Sequence, residues 1–331
     1  MRAIVQSGYG EPRNVLTIKD VERPVPGDHE VLVRVVGSSV NPGDWMSLVG
    51  RPYVLRIQFG LTGPRRAIGG RDVAGVVEAV GSKVTLWQPG DEVYGELTAG
   101  AYADYAVAAE DVLAAKPTSL DFSAAAAVPL AGATALQGIR DAGAVRAGQR
   151  VLVNGASGGV GSFAVQVARS LGAHVIGVCS TDALELVRSI GADEAIDYTR
   201  QDFTESGKGY DLIFDLVGNQ PLSACRRALR PGGVYVGASG MPGGGVLGPL
   251  PYLLRVMLAR TRDGRSLKPF AAKPNADDLT TLAELIDAGD VRPVIEHTYG
   301  FAQVADALAR QGEGHARGKS VINVAADGGA A

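Results

Sequence analysis

Apolar and polar positions along this chain fall into two textures. Over about the first 120 residues, short β-rich runs such as Glu30–Val36 and Gly75–Val80 alternate with turns. The turns include Pro24-Val25-Pro26-Gly27-Asp28 and Gln88-Pro89-Gly90-Asp91. Brief runs between such turns predict a compact, barrel-like β unit. From Ser123 to Gly143 the chain becomes alanine-rich and reads as helix, with Ser123 a candidate N-cap and Pro129 a kink or a break between two helices.

The second texture is one of solid apolar strands followed by helices. Val151-Leu152-Val153-Asn154 runs into a glycine turn and a helix from Gly159 to about Leu171. His174–Cys179 reads as a second strand, and Gly191–Tyr198 supplies a turn and a third. Asp211–Asp215 and Gly233–Gly237 read as a fourth and a fifth. Strands and helices in alternation, with short glycine connections, predict a doubly wound parallel sheet. Beyond Gly237 we read a glycine-rich loop (Met241–Gly248), a short apolar helix (Pro249–Arg260) and a charged connection (Thr261–Ser266). A sixth strand (Leu267–Ala272), a capped amphipathic helix (Asp277–Ala288) and an extended stretch (Arg292–Tyr299) come next. A helix (Phe301–Arg310), a last strand (Lys319–Val324) and a frayed tail (Ala325–Ala331) complete the reading.

The glycine turn carries chemistry. Gly155, Gly158 and Gly161 lack a Cβ, so the backbone can bend tightly and a pyrophosphate can approach bare N–H groups. The helix beginning at Gly159 aims its positive end at the same place. Ser157, Gly159 and Val160 fall within the same turn. We read this half as dinucleotide-binding.

Composition narrows the function classes. At 331 residues the chain can hold two domains, each with its own core. A formal net charge of -3 speaks against nucleic acid as the main partner. No apolar run approaches the ~20 residues of a membrane span, so stable insertion is not expected. Met1-Arg2 leads straight into Ala3-Ile4-Val5 without a signal core or transit segment, which makes the cytoplasm the expected location. The two cysteines, Cys179 and Cys225, and the scattered His29, His174, His297 and His315 show no metal-ligand spacing. No metal is expected, and Cys179 reads as a small core residue.

Several motifs in order give the chain a family likeness. Asn41-Pro42-Gly43-Asp44-Trp45, Gly70-Arg71-Asp72-Val73-Ala74-Gly75, Pro89-Gly90-Asp91-Glu92-Val93-Tyr94-Gly95 and Gly132-Ala133-Thr134-Ala135 precede the glycine turn. Gly314-His315-Ala316-Arg317-Gly318-Lys319 follows near the end. With these, the chain resembles the zinc-independent quinone oxidoreductases of the medium-chain dehydrogenase/reductase superfamily. The resemblance implies a GroES-like β-rich domain (1–123, completed by 274–331) and a Rossmann domain (124–273), with the active site in the cleft between them. It also implies a homodimer.

The same resemblance suggests the chemistry. Zinc-dependent relatives place a cysteine ligand where this chain has Asn41, and a His-Glu pair where it has Arg71-Asp72. Without that Lewis acid, hydride delivery to an electron-poor acceptor, a quinone or an α,β-unsaturated carbonyl, is the expected reaction. Asn41 and Thr134 are expected beside the nicotinamide, the alternatives being an Asx-type turn before Pro42 and a packing role in a helix. Tyr53 is a candidate carbonyl-facing hydroxyl or a half-buried packing tyrosine, and Asp44 holds that site or its turn. Ser180, Thr181 and Tyr198 suit the 2′-phosphate of NADPH. Asp182, where the branch often has Arg or Lys, either caps the next helix or faces the ribose and favours NADH. Reduction of simple ketones and alcohols, or nucleotide sensing with little catalysis, are the alternative readings. Pro249–Arg260 either packs against a neighbour, roofs the cleft or touches a membrane surface.

Overall fold

A computed structural model describes residues 1–207, 209–238, 256, 264–314 and 316–325. The described strands run, in chain order, β1 (Arg2–Gln6), β2 (Leu16–Asp20), β3 (Glu30–Val40), β4 (Asp72–Val80), β5 (Glu92–Glu96), β6 (Tyr105–Ala109) and β7 (Leu113–Ala115). They continue as β8 (Arg150–Asn154), β9 (His174–Cys179), β10 (Glu194–Asp197), β11 (Tyr210–Asp215), β12 (Leu229–Gly237), β13 (Ser266–Pro269), β14 (Ile295–Gly300) and β15 (Lys319–Asn323). Two compact units share them. The first comprises Met1–Leu130, Pro274–Ala288 and Ile295–Ala331; the second comprises Ala131–Lys273 and Gly289–Val294.

In the first unit a seven-stranded sheet runs β14-β15-β3-β4-β5-β7, with β6 paired to β3. The β1–β2 hairpin stands apart from that sheet. Only β14 and β15 are parallel; the remaining pairs are antiparallel. β3 shifts register against β4 twice, between Leu32/Val33 and between Val35/Gly37. Such bulges let one long strand bend enough to pair with β4, β6 and β15. Val31, Val33, Val73, Val93, Phe301 and Ile322 form the buried core. The unit extends past residue 123 because the helix Phe122–Ala126 packs on β3, β4 and β15. Its cap is Asp121, whose carboxylate accepts from Ala124 N–H at 2.7 Å, and not Ser123. Pro129 begins a new helix, Pro129–Leu136, where its missing N–H costs nothing.

The second unit is a six-stranded parallel sheet in the order β10-β9-β8-β11-β12-β13. This is the doubly wound order read from the glycine turn outward. Val151, Leu152, Val153, Val175, Ile213 and Phe214 are fully buried, which is why these strands are solid apolar runs and not alternating ones. The sixth strand ends at Pro269, short of Ala272, opposite the end of its partner β12 at Gly237, and Phe270 N–H makes the last bond to Gly237 O at 2.9 Å. Residues 289–294 return to this unit: Gln166 Nε2 donates to Arg292 O, and Arg292 N–H to Gln166 Oε1, both at 2.9 Å. The expected loop Met241–Gly248, all of Pro249–Arg260 except Val256, His315 and the tail beyond Ala325 lie outside the described residues.

Candidate active site

Two groups of polar side chains stand out, one in each unit. In the second, β8 ends at Asn154 and the chain turns at Gly155, whose φ of 90° is one that L side chains rarely adopt. Gly158 is the N-cap of the helix Gly159–Ser170. A Cβ on Gly161 would lie 2.0 Å from Gly155 O and 2.8 Å from Ala156 Cα, so only glycine lets the first helical turn sit on the strand end. Ser157, Gly158, Gly159 and Val160 remain half-buried. The first N–H groups of the helix have no intrahelical partner, which suits them to an anion. A helix start held this close to the strand end by glycine, with its first N–H groups turned to the loop, fits a dinucleotide pyrophosphate.

Beside this turn lies a network that strand patterning did not indicate. Asp215, fully buried at the end of β11, accepts from Asn154 Nδ2 at 2.8 Å and from Tyr235 Oη at 2.8 Å. It also accepts from the backbone N–H of Val217 (3.0 Å) and Gly218 (2.8 Å), while Asn154 Nδ2 donates to Asn219 Oδ1 at 2.9 Å. A buried carboxylate so surrounded fixes the loop at the carboxyl edge of the sheet, where open α/β sheets bind ligands.

The proposed 2′-phosphate residues share one corner, between the ends of β9 and β10. Ser180 is the N-cap of a 3₁₀ turn, Thr181–Ala183, within which Asp182 lies exposed. Asp182 is thus inside the turn and is not the cap residue. Thr181 Oγ1 donates to Asp197 Oδ2 at 2.5 Å, and Asp197 Oδ1 accepts from the N–H and hydroxyl of Thr199 at 2.9 and 2.7 Å. These hydroxyl donors hold the Asp197 carboxyl below its ordinary range. Tyr198 N–H donates to Cys179 O at 3.1 Å, and the Tyr198 side chain is exposed. Arg200 Nε lies 3.6 Å from Asp197 Oδ2, with its side chain largely in solvent. Thr134 is half-buried in the helix Pro129–Leu136, just before a π-helical stretch, Gln137–Ala142.

In the first unit the buried group centres on Asp72, which has no exposed surface. Its Oδ2 accepts from Ser39 Oγ at 2.6 Å, Asn41 Nδ2 at 2.9 Å and Lys319 Nζ at 3.2 Å. Its Oδ1 accepts from Leu130 N–H at 2.9 Å, at the start of the helix Pro129–Leu136. Lys319 is also buried and donates further to Asn41 Oδ1 (2.5 Å) and Val40 O (3.3 Å). An ammonium has three donors, and here three acceptors take them. Both ends of the Asn41 amide are therefore engaged inside the unit. Asp44 Oδ2 accepts from Asn41 N–H at 2.9 Å and so caps the helix Pro42–Val49.

Arg71 and the nearly buried Glu96 form an ion pair alongside. Asp44, Asp72 and Glu96 thus face two cations, Arg71 and Lys319. Burial with surplus negative charge raises the acids. Glu96 is pushed up to about 7, by desolvation first and then by Asp72 and Asp44, against the pull of Arg71. Asp44 is pushed up to about 6, again by desolvation and then by Asp72. The sequence reading took Lys319 only as the end of a family motif and passed over Glu96, because a lysine at the head of one strand and a glutamate at the tail of another look like ordinary solvated ends.

Tyr53 stands elsewhere in the unit, 46% exposed. Arg56 stacks between its ring (4.8 Å) and that of Tyr9 (4.4 Å).

The oxygens of this buried group are already taken by protein donors. Among the described residues no three His, Cys, Asp or Glu side chains come together to hold a metal. Asp72 is taken up by an ammonium, that of Lys319. Cys179 and Cys225 are buried in the second unit, with thiols pushed up by burial to about 11 and about 12. Among the described residues no helix is long and apolar enough to cross a membrane.

Comparison with known proteins places the chain. Residues 27–118 match the family model of the alcohol dehydrogenase GroES-like domain, and residues 190–322 match that of the zinc-binding dehydrogenases. The mitochondrial NAD(P)H oxidoreductase RTN4IP1 of Homo sapiens is 36% identical, over 98% of this chain and 89% of its own. The chloroplastic NADPH-dependent alkenal/one oxidoreductase of Arabidopsis thaliana is 34% identical, over 97% of this chain and 79% of its own. The solved quinone oxidoreductase of Coxiella burnetii superposes with a TM-score of 0.85 at 28% identity, covering 98% of this chain and 99% of its own. The parallel sheet with its glycine turn and the GroES-like unit agree with these likenesses, and the chain belongs to the quinone-oxidoreductase branch of the medium-chain dehydrogenase/reductase superfamily, as an NAD(P)H oxidoreductase.

Proposed function

We propose that this oxidoreductase works without zinc and passes a hydride from NADPH to a quinone or an α,β-unsaturated carbonyl compound. The observation that carries the reading is the saturated contact of Lys319 with Asn41 and Asp72. A divalent ion would compete for those oxygens against a fixed ammonium. Without a Lewis acid at its oxygen, oxidation of an unactivated alcohol loses its main electrostatic support, whereas a conjugated acceptor carries its own electron sink. The names of the relatives, quinone oxidoreductase and alkenal/one oxidoreductase, agree with such acceptors.

When bound, the nicotinamide supplies the hydride. The Gly155–Gly161 turn would hold the pyrophosphate through backbone N–H groups, with Ser180, Thr181 and Tyr198 at the adenosine end. Addition at the β-carbon of an enone moves the C=C pair toward the carbonyl oxygen, and one proton from water completes the saturated ketone. Asn41 and Asp44 are positioning groups in this reading, and Tyr53 is the hydroxyl offered to the carbonyl. One observation favours a second cofactor reading: Asp197 stays ionised at the 2′ corner and would repel a 2′-phosphate unless Arg200 offsets it.

The test follows reduced-nicotinamide absorbance for NADPH and NADH against a benzoquinone, an enone and a simple ketone, with EDTA present. Turnover of quinone or enone with NADPH, unaffected by EDTA, is expected. Turnover of the ketone alone, or loss of activity in EDTA, overturns the proposal. NADH preferred over NADPH overturns only its cofactor half.

A further inference from the structure

Between Asp44 and Asp72 the chain has no acidic residue, yet it carries Arg51, Arg56, Arg65, Arg66 and Arg71. Arg71 pairs with Glu96, and Arg56 is held in its stack between Tyr9 and Tyr53. Arg51, Arg65 and Arg66 are exposed, and among the described residues none of them has an ion-pair partner. The guanidinium of Arg51 lies 5.8 Å from the Tyr53 ring, and the charges of Arg56 and Arg65 both reach the Tyr9 hydroxyl. Three large apolar side chains spaced four apart share this segment: Tyr53 (46% exposed), Ile57 (66%) and Leu61 (70%).

The segment is built and not merely unpaired. Tyr9 Oη donates to Gly60 O at 2.5 Å, Arg56 Nε to Gly50 O at 3.0 Å, and Arg65 N–H to Phe59 O at 2.7 Å. Exposed apolar groups in one segment with cations of a single sign match a partner with an apolar body and a negative end. We infer that segment 51–66 selects the acceptor, and that the preferred acceptor is an amphiphile: a conjugated carbonyl or quinone with an apolar frame and a carboxylate or phosphate-type group. This rests on the reductase reading and on Tyr53 facing the acceptor. Tyr53, Ile57 and Leu61 take the frame; Arg65 and Arg66 take the anion.

The experiment compares a phenyl-substituted enone bearing a para-carboxylate with its methyl ester. The two differ in charge, and the ester, the more electron-withdrawing group, makes the more electrophilic acceptor, so a preference for the carboxylate runs against the ring electronics. The wild-type enzyme is expected to favour the carboxylate about tenfold in kcat/KM at low salt, as two or three partly solvated cations allow. The preference should shrink as salt rises. In Arg65→Gln/Arg66→Gln the ratio should fall to one or below, with unchanged NADPH binding reporting an intact fold. Ile57→Ser should lower kcat/KM for both acceptors and leave their ratio in place. Equal use of ester and carboxylate by wild type overturns the inference and leaves the reductase reading standing. A preference that survives Arg65→Gln/Arg66→Gln overturns the assignment to this segment. Arginine-dependent binding to phosphatidylglycerol vesicles without any acceptor preference assigns the surface to lipid and overturns it too. Turnover of neither acceptor, with NADPH still bound, removes the reductase reading and the inference with it.

Discussion

Replacing Lys319 by methionine is the sharpest perturbation of the first unit. Methionine keeps an unbranched chain of similar reach and removes only the ammonium. Asp72 would be left with no exposed surface and no counter-ion of its own, while Asn41 Oδ1 and Val40 O would lose their donor. Breaking a buried ion pair on one side costs about 3–5 kcal/mol. Asp72 keeps donors from Ser39, Asn41 and the Leu130 N–H, so the lower end, about 3 kcal/mol, is expected. Against a typical domain stability of about 5–15 kcal/mol that is a large fraction. It corresponds to a drop of roughly 6–12 °C in the melting temperature of a unit this size. Both tryptophans, Trp45 and Trp87, pack against the core of this unit, so fluorescence in a urea or thermal titration reports on it specifically. The companion variant Asp72→Asn/Lys319→Met removes both charges and should cost at least ~1 kcal/mol less than the sum of the single changes. A loss below about 1 kcal/mol for Lys319→Met, or strict additivity in the double variant, would refute the account of Asp72 as a charge that depends on Lys319.

Other outcomes follow from the same geometry. Asp44 and Glu96 titrate higher folded than unfolded, so their contribution to stability is fully present below about pH 4 and is lost as pH rises through about 6 and about 7. Glu96→Gln should therefore flatten the dependence of the urea midpoint on pH between about 4.5 and about 7, and an unchanged slope would contradict the raised acid. Gly161→Ala must displace the Gly155 carbonyl, so NADPH affinity measured by fluorescence titration should fall tenfold or more, roughly 1.4 kcal/mol; retained affinity would place the cofactor elsewhere. Asp197→Asn keeps the Thr181 and Thr199 contacts but removes the charge, and should raise the NADPH-to-NADH ratio of kcat/KM several-fold. No change in that ratio would take Asp197 out of cofactor choice.

Much of the second unit was readable in one dimension. Val151–Val153, Val175–Val178 and Leu212–Phe214 are continuous apolar runs because the sheet is covered on both faces, and that pattern needs no partner to be seen. The glycine turn was equally plain, since Gly155 and Gly161 answer to constraints set by a few neighbouring residues, a positive φ and a contact with the strand end just before the helix. Helix starts were less certain. The cap near Ser123 moved to Asp121 because several oxygen-bearing side chains offered themselves, and backbone geometry chose among them.

The buried group of the first unit could not be seen this way. Asn41, Asp72, Glu96 and Lys319 stand far apart in the chain, and each alone looks like a turn residue or a solvated strand end. Their meeting depends on β15 pairing antiparallel with β3 and β3 with β4, a register set by the pairing of whole strands. The sequence by itself determined the local things: where strands are sheathed, where the backbone must bend, and the family likeness those motifs carry. Only the tertiary structure decided which charges lose their water together, and it is that shared desolvation that turns Lys319, Asp72 and Glu96 from ordinary ions into a coupled set.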